Sequence, residues 1–284
     1  MRTDDLPDAE RTSGAVFLDS DRRDRRVSEP EPEPRSEDAA ERWIERMRYF
    51  LGIDPQGCWV AADGAQIVGF AVAQNRDRLW YLATYGVLSS RQGHGIGKRL
   101  LDAVLTHADG RQGMFSSSVH PGATRRYRLA GFSLHPQMRM FGTVDRTKLA
   151  AVTGLSDGSA ADFDWMNRLD QRLRGAGHGP DHQYLLAGHR LVVSRAGDEP
   201  GYVYLDHRGR PILLAAADQR TAEKLLWEAL ASTDGDTLVN CITTANEWAI
   251  DVGLAAGLRL GQEGYLAVRG MPTPAPYLAS GQFL

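Results

Sequence analysis

Apolar residues recur along this chain in two rhythms. Ala40, Trp43, Ile44, Met47 and Phe50 follow one another at three- and four-residue spacing, which predicts a helix with one buried face, and Ser36 stands ahead of it as an N-cap. An earlier helix opens at Asp5-Leu6-Pro7 and carries Ala15, Phe17 and Leu18 on its apolar side. From residue 58 the rhythm shortens. Segments 58–61, 66–73 and 79–88 read as three strands, with turn signals at Asp63-Gly64 and over 75–77. A helix over 95–107, a strand over 113–119 and a short helix over 123–130 follow, and residues 132–144 have the length of two strands joined near Pro136. The predicted order is β-β-β-α-β-α-β, a mixed sheet in an α/β (α+β) fold.

Between the first two helices the pattern fails. Residues 19–36 are charge-dense and then run Glu29-Pro-Glu-Pro-Glu-Pro34, a composition that cannot bury enough apolar surface to order itself, so a mobile surface loop is expected there. Beyond residue 147 the alternation of elements restarts. It predicts a helix around 162–174, strands over 191–194, 202–206 and 211–215, and a helix over 219–231. A strand over 237–243, a helix over 246–256 and a strand over 265–268 complete it. The restart is visible in residues: Leu225-Leu226-Trp227-Glu228-Ala229-Leu230 parallels Leu100-Leu101-Asp102-Ala103-Val104-Leu105, and Asn246-x-x-Ala249 before Ala256-Gly257-Leu258 parallels His120-x-x-Ala123 before Ala130-Gly131-Phe132. Two copies of one unit are expected, over residues 1–147 and 148–284.

Composition narrows the function. At 284 residues the chain has room for two cores, and a net charge of −3 supplies no basic field for nucleic acid or an anionic membrane. No apolar run approaches the roughly 20 residues of a membrane span, and the N-terminus is acidic and polar, which argues against a secretory leader. A cytoplasmic protein is expected. Cys58 and Cys241 read as buried thiols.

The chemistry concentrates in Gln92-Gly93-His94-Gly95-Ile96-Gly97-Lys98, between a strand and a helix. Alternate glycines let the main chain turn and approach a ligand, and the following helix start offers unpaired N–H groups to an anion. A dinucleotide fingerprint counted from Gly93 needs glycine where Lys98 stands, and a Walker loop needs glycine at Gln92 and Ser or Thr at Arg99, so neither fits. What remains is Gln-x-x-Gly-x-Gly after Tyr85-Gly86-Val87. This resembles motif A of the GNAT acyl-CoA-dependent N-acyltransferases. A second match follows: His120-x-x-Ala123-x-x-x-Tyr127 and then Gly131-Phe132, where the family usually has asparagine in place of His120.

The resemblance implies a tandem of two GNAT-like domains, with acetyl-CoA as cosubstrate, no metal, and a small-molecule or peptide amine as acceptor. It implies Val87, Leu88, Gln92, Gly93, His94, Gly95, Ile96, Gly97, Lys98 and His120 as cosubstrate-binding residues. The Val87 amide would be the oxyanion donor and Tyr127 the general acid, since a phenol titrating near 10 stays protonated at neutral pH and can protonate a departing thiolate. In the second copy Gln92-x-x-Gly95-x-Gly97 becomes Ala217-x-x-Arg220-x-Ala222 and Tyr127 becomes Gly253, so that copy is expected to be degenerate. No carboxylate near the strand end Tyr81-Thr84-Tyr85 offers itself as a base. His178 and His182 have the spacing of a metal pair, but Gly179-Pro180 breaks any helix there, and a loop with two histidines is expected. The oligomeric state and the acceptor are not legible. A non-catalytic acyl-CoA sensor is the alternative to an enzyme.

Overall fold

The computed structural model describes residues 1–25, 30–195 and 199–284. Two compact units emerge, one of residues 1–75 and 80–111, the other of 76–79 and 112–284.

The first unit carries helices α1 (Leu6–Asp24) and α2 (Glu37–Ile53), strands β1 (Cys58–Asp63), β2 (Gln66–Arg76) and β3 (Leu79–Val87), and helix α3 (Ile96–Ala108). A single 3-10 turn, Thr3–Asp5, precedes α1. Ser36 caps α2 as expected, its hydroxyl accepting from the Ala39 amide at 3.4 Å, and the predicted stripe is buried at Trp43, Met47 and Phe50. Trp43 meets Phe70 of β2 edge-on, with ring centroids 6.1 Å apart. Burial of each such side chain contributes about 1.5–3 kcal/mol, which is what fixes α2 on the sheet. α1 is held to β2 by Thr12, whose hydroxyl donates to the Ile67 carbonyl at 2.8 Å. α1 continues to Asp24, so residues 19–24 of the expected loop are helical. Residues 26–29 lie outside the described residues. Arg35, at the loop's far end, donates to Glu10 at 2.7 Å and to Ser13 at 3.1 Å.

The second unit carries β4 (Gln112–Ser117), α4 (Pro121–Leu129), β5 (Ser133–Thr143), β6 (Leu155–Asp157), α5 (Phe163–Arg174), α6 (Pro180–Gly188) and β7 (Arg190–Ser194). It continues with β8 (Gly201–Leu205), β9 (Pro211–Ala216), α7 (Gln219–Ser232), β10 (Asp236–Ile242), α8 (Trp248–Ala255), β11 (Arg259–Arg269) and β12 (Tyr277–Leu278). Its strands lie in the orders β4-β11-β5-β10 and β12-β9-β8-β7-β6.

Residues 132–144 form one strand, not two. Pro136 does not break it, because it sits opposite Tyr265 where the β11–β5 register already shifts, a place where a missing N–H costs no ladder bond. The strand's neighbour comes from far along the chain: β11 pairs with β5 through Ala267↔Leu134 and with β4 through Ala267↔Phe115. The repeat read from sequence has a backbone counterpart. Gly131 follows α4 at φ +86 and Gly257 follows α8 at φ +82, the left-handed stop that ends each helix. Met140 of β5 and Val144 just after it are buried with Leu225 and Leu226 of α7 and Val252 of α8 in a shared core. Among the described residues no helix is long and apolar enough to cross a membrane.

Candidate active site

The glycine loop belongs to the first unit and leads from β3 into α3. Gly93 and Gly95 adopt φ of +83 and +78, and nothing lies within 4 Å of where a Cβ would stand on either. Gly95 is the N-cap of α3 and offers no side-chain cap, so the first-turn amides have no capping side chain as partner. Gln92 pins the loop to the strand: its Nε2 donates to the Val87 carbonyl at 3.1 Å. His94 is exposed and its Nδ1 lies 2.9 Å from the Gln92 carbonyl, a bond that shapes the turn. Gly97 is required by packing, since a Cβ there would lie 2.5 Å from the Tyr85 hydroxyl. Leu88 and Ile96 are half-buried on either side of the loop, and Lys98 is exposed and paired with Asp102 one turn on. Val87 is buried at the strand end.

Tyr127 and His120 belong to the second unit. His120 is the N-cap of α4, and its Nδ1 accepts from the amides of Gly122 at 3.1 Å and Ala123 at 3.3 Å. An asparagine side chain makes the same cap, which explains why histidine is accommodated at that position. Tyr127 is buried on α4 with its ring edge against Phe115 of β4, centroids 4.5 Å apart.

At the corresponding places of the second copy the machinery is closed. β9 ends at Ala216 and α7 begins at Gln219, with no loop of the kind that spans residues 88–95. Asp218 caps α7 by accepting from the Thr221 amide at 3.0 Å, so a carboxylate of the chain occupies the anion position. At Gly253 a Cβ would lie 2.7 Å from Met140, leaving no room for a tyrosine. Asn246 has become a clasp: its Oδ1 accepts from the Tyr277 amide at 2.9 Å and its Nδ2 donates to the Pro274 carbonyl at 3.0 Å.

Sequence reasoning missed a buried polar cluster in this unit. His178 and His182 are fully buried, and Pro180 starts α6 instead of preventing it, because the first turn of a helix tolerates proline. Asp170 of α5 lies between the two rings: His178 Nδ1 is 2.7 Å and His182 Nε2 3.1 Å from its Oδ2, and the Tyr202 hydroxyl donates to Oδ1 at 2.6 Å. Arg174 lies behind, with Nη1 3.0 Å from His178 Nε2. Burial and the Arg174 charge push His178 down to about 4, whereas burial raises Asp170 but the two histidines bring it below the usual carboxylate range. The three ligand-type atoms lie within 4.8 Å of one another, the spacing of a metal site. Arg174 can only donate, however, so the His178 ring accepts at Nε2 and carries its proton on Nδ1, the atom a cation would need. The arrangement holds an ionised carboxylate on three donors, balanced by one guanidinium.

The model of the Acetyltransferase (GNAT) family matches residues 19–132. No curated protein matches the sequence. Among solved structures, a proposed acetyltransferase from Pyrococcus horikoshii is 17% identical with a TM-score of 0.75, covering 100% of this chain and 93% of that one. A GCN5-related N-acetyltransferase from Sphaerobacter thermophilus is 14% identical (TM-score 0.56; 95% and 93% covered). A tandem GNAT protein from the clavulanic acid biosynthesis pathway is also 14% identical (TM-score 0.53; 93% and 94%). At such identities the likeness speaks to fold alone: over its length the chain has the fold of the tandem GNAT proteins, and within it residues 19–132 match the model of the Acetyltransferase (GNAT) family.

Proposed function

We propose that this protein is an N-acyltransferase that moves an acetyl group from acetyl-CoA to a primary amine. The open, uncapped start of α3 at Gly95 carries the reading, since a helix end with bare amides and space before it suits a pyrophosphate. In this reading Leu88, Gln92, Gly93, His94, Gly95, Ile96, Gly97, Lys98 and His120 serve cosubstrate binding, either directly or by shaping the main chain. The Val87 amide donates to the oxyanion as the thioester carbonyl becomes tetrahedral. Tyr127 then gives its proton to the CoA sulfur. The acceptor is a small-molecule or peptide amine, and the location is cytoplasmic. Residues 1–147 make up the working copy and 148–284 the degenerate one.

Tyr127→Phe is expected to lower turnover by about 10²-fold or more with acetyl-CoA affinity nearly unchanged, because the ring still packs on Phe115 and only the proton donor is gone. The measurement is thiol release across a panel of amines, alongside calorimetry. A sensor without chemistry would bind acetyl-CoA and release no thiol in either form. A wild-type rate in the variant would make Tyr127 structural.

One CoA per chain is expected, because Asp218 and Met140 fill the second copy's positions. Titration calorimetry giving a stoichiometry of two would contradict this.

A further inference from the structure

The side chains that flank the glycine loop are already engaged by carboxylates. Ser89 donates to Asp19 of α1 at 2.8 Å, Arg91 pairs with Asp63 at the end of β1 at 2.9 Å, and Lys98 pairs with Asp102. An anion arriving at the loop is therefore met chiefly by main chain. The Arg99 amide makes the first bond of α3, to the Gly95 carbonyl at 3.1 Å, so the amides of Ile96, Gly97 and Lys98 have no carbonyl of the helix to bond.

One side-chain hydroxyl stands against those amides. Gly97 is the second residue of α3, and a Cβ on it would lie 2.5 Å from the Tyr85 hydroxyl, 3.6 Å from the ring carbon that bears it and 3.7 Å from Val87 Cγ2. Tyr85 and Val87 therefore both face α3. Gly86 between them faces the other way, where a Cβ would lie 2.7 Å from Val16 of α1, as the alternation of a strand requires. Every residue named here belongs to the first unit. Glycine is a poor helix former, so its place inside the first turn of α3 needs a reason. The distances supply one: the space it leaves is needed by the oxygen of Tyr85 and not by the ring, since a methyl at 3.6 Å from the ring carbon would be in ordinary contact. A ring placed for packing alone could be phenylalanine, and residue 97 could then be alanine. The chain instead forgoes helix propensity and presses one hydroxyl against the turn whose amides lack helix partners.

We propose that Tyr85 is a cosubstrate-binding residue whose phenol donates a hydrogen bond to the diphosphate of acetyl-CoA beside the first-turn amides, an assignment that rests on the acetyl-transfer reading above. A phenol O–H donates without carrying charge. A bond from it to an ionised phosphate oxygen is stronger than one between neutral groups, so its loss is measurable as affinity. Tyr85 acts on binding and takes no part in the transfer step.

Three variants test this by titration calorimetry with acetyl-CoA and with 3′-phosphoadenosine 5′-diphosphate, which keeps the diphosphate and lacks the pantetheine arm. Tyr85→Phe should weaken both ligands by about tenfold or more with Tm unchanged, because the ring still fills its place and only the donor is lost. Gly97→Ala should weaken both by a similar factor, since the added methyl drives the hydroxyl away. The double variant should bind no more weakly than Tyr85→Phe alone, the methyl then meeting only the ring carbon at 3.6 Å. Tyr85→Phe binding acetyl-CoA within about twofold of the wild type removes Tyr85 from the site and leaves the acetyl-CoA reading standing. Losses that multiply in the double variant would show that Gly97 acts through the main chain, and a loss confined to acetyl-CoA would place the hydroxyl on the pantetheine arm; either overturns the assignment. Wild-type protein that binds neither ligand overturns the acetyl-CoA reading itself.

Discussion

Gly95→Asp is expected to abolish acetyl-CoA binding while the protein stays folded. No atom lies within 4 Å of the new Cβ, and aspartate tolerates a φ of +78 at a cost of about 1 kcal/mol, so the fold has little to resist. The carboxylate, however, lands at the N-cap of α3 and takes the first-turn amides for itself. This converts the start of α3 into the start of α7, where Asp218 already does the same. A pyrophosphate would then meet a like charge and occupied donors. Calorimetry should show at least a 10²-fold weaker Kd, and Gly95→Ala, which adds a Cβ without charge, should keep binding within about tenfold. If Gly95→Asp binds acetyl-CoA as the wild type does, the loop is not its site.

Asp170→Asn is expected to be the most destabilising of the conservative substitutions in the second unit. Three donors converge on the carboxylate, from His178, His182 and Tyr202, and an amide turns one of its two acceptors into a donor. It also takes the negative charge out of a cluster in which Arg174 is buried. Leaving buried donors without their acceptor costs about 1–3 kcal/mol each, which corresponds to a Tm lower by on the order of 10 °C. The pH dependence follows from His178. Its folded value of about 4 lies below the ordinary histidine value of 6.5, so the folded state binds fewer protons. The stability it contributes is present above pH 6.5 and is lost as pH falls through about 4. Thermal melts at pH 7, 5.5 and 4.5 should show a falling Tm in the wild type. A flat Tm across that range, or a variant melting within about 2 °C of the wild type, would show that the cluster is not holding the unit together.

The parts legible in the sequence are those whose signal is local. The glycine loop, the Ser36 cap, the stripe of α2 and the motif through Tyr127 are each complete within about a dozen residues, and backbone chemistry dictates their form. What escaped depends on residues far apart in the chain. Pro136 looked like a break because nothing nearby announces that Tyr265 lies opposite it at a bulge. His178 and His182 looked idle because Asp170, Tyr202 and Arg174 come from other elements, and because Gly179-Pro180 signals a break as readily as a helix start. The place of β11 between β4 and β5 is likewise encoded by no local pattern.

That placement of β11 also sets an order of events for a chain made from its N-terminus. β4 and β5 are synthesised close together, yet the strand that hydrogen-bonds to both begins only at Arg259. Until the ribosome has delivered it, the facing edges of β4 and β5 stay unpaired, and open edges of this kind recruit foreign strands. The nascent protein therefore carries an unfinished sheet from the synthesis of β4 until β11 emerges. A premature stop anywhere before residue 259 would leave that gap unfilled for good.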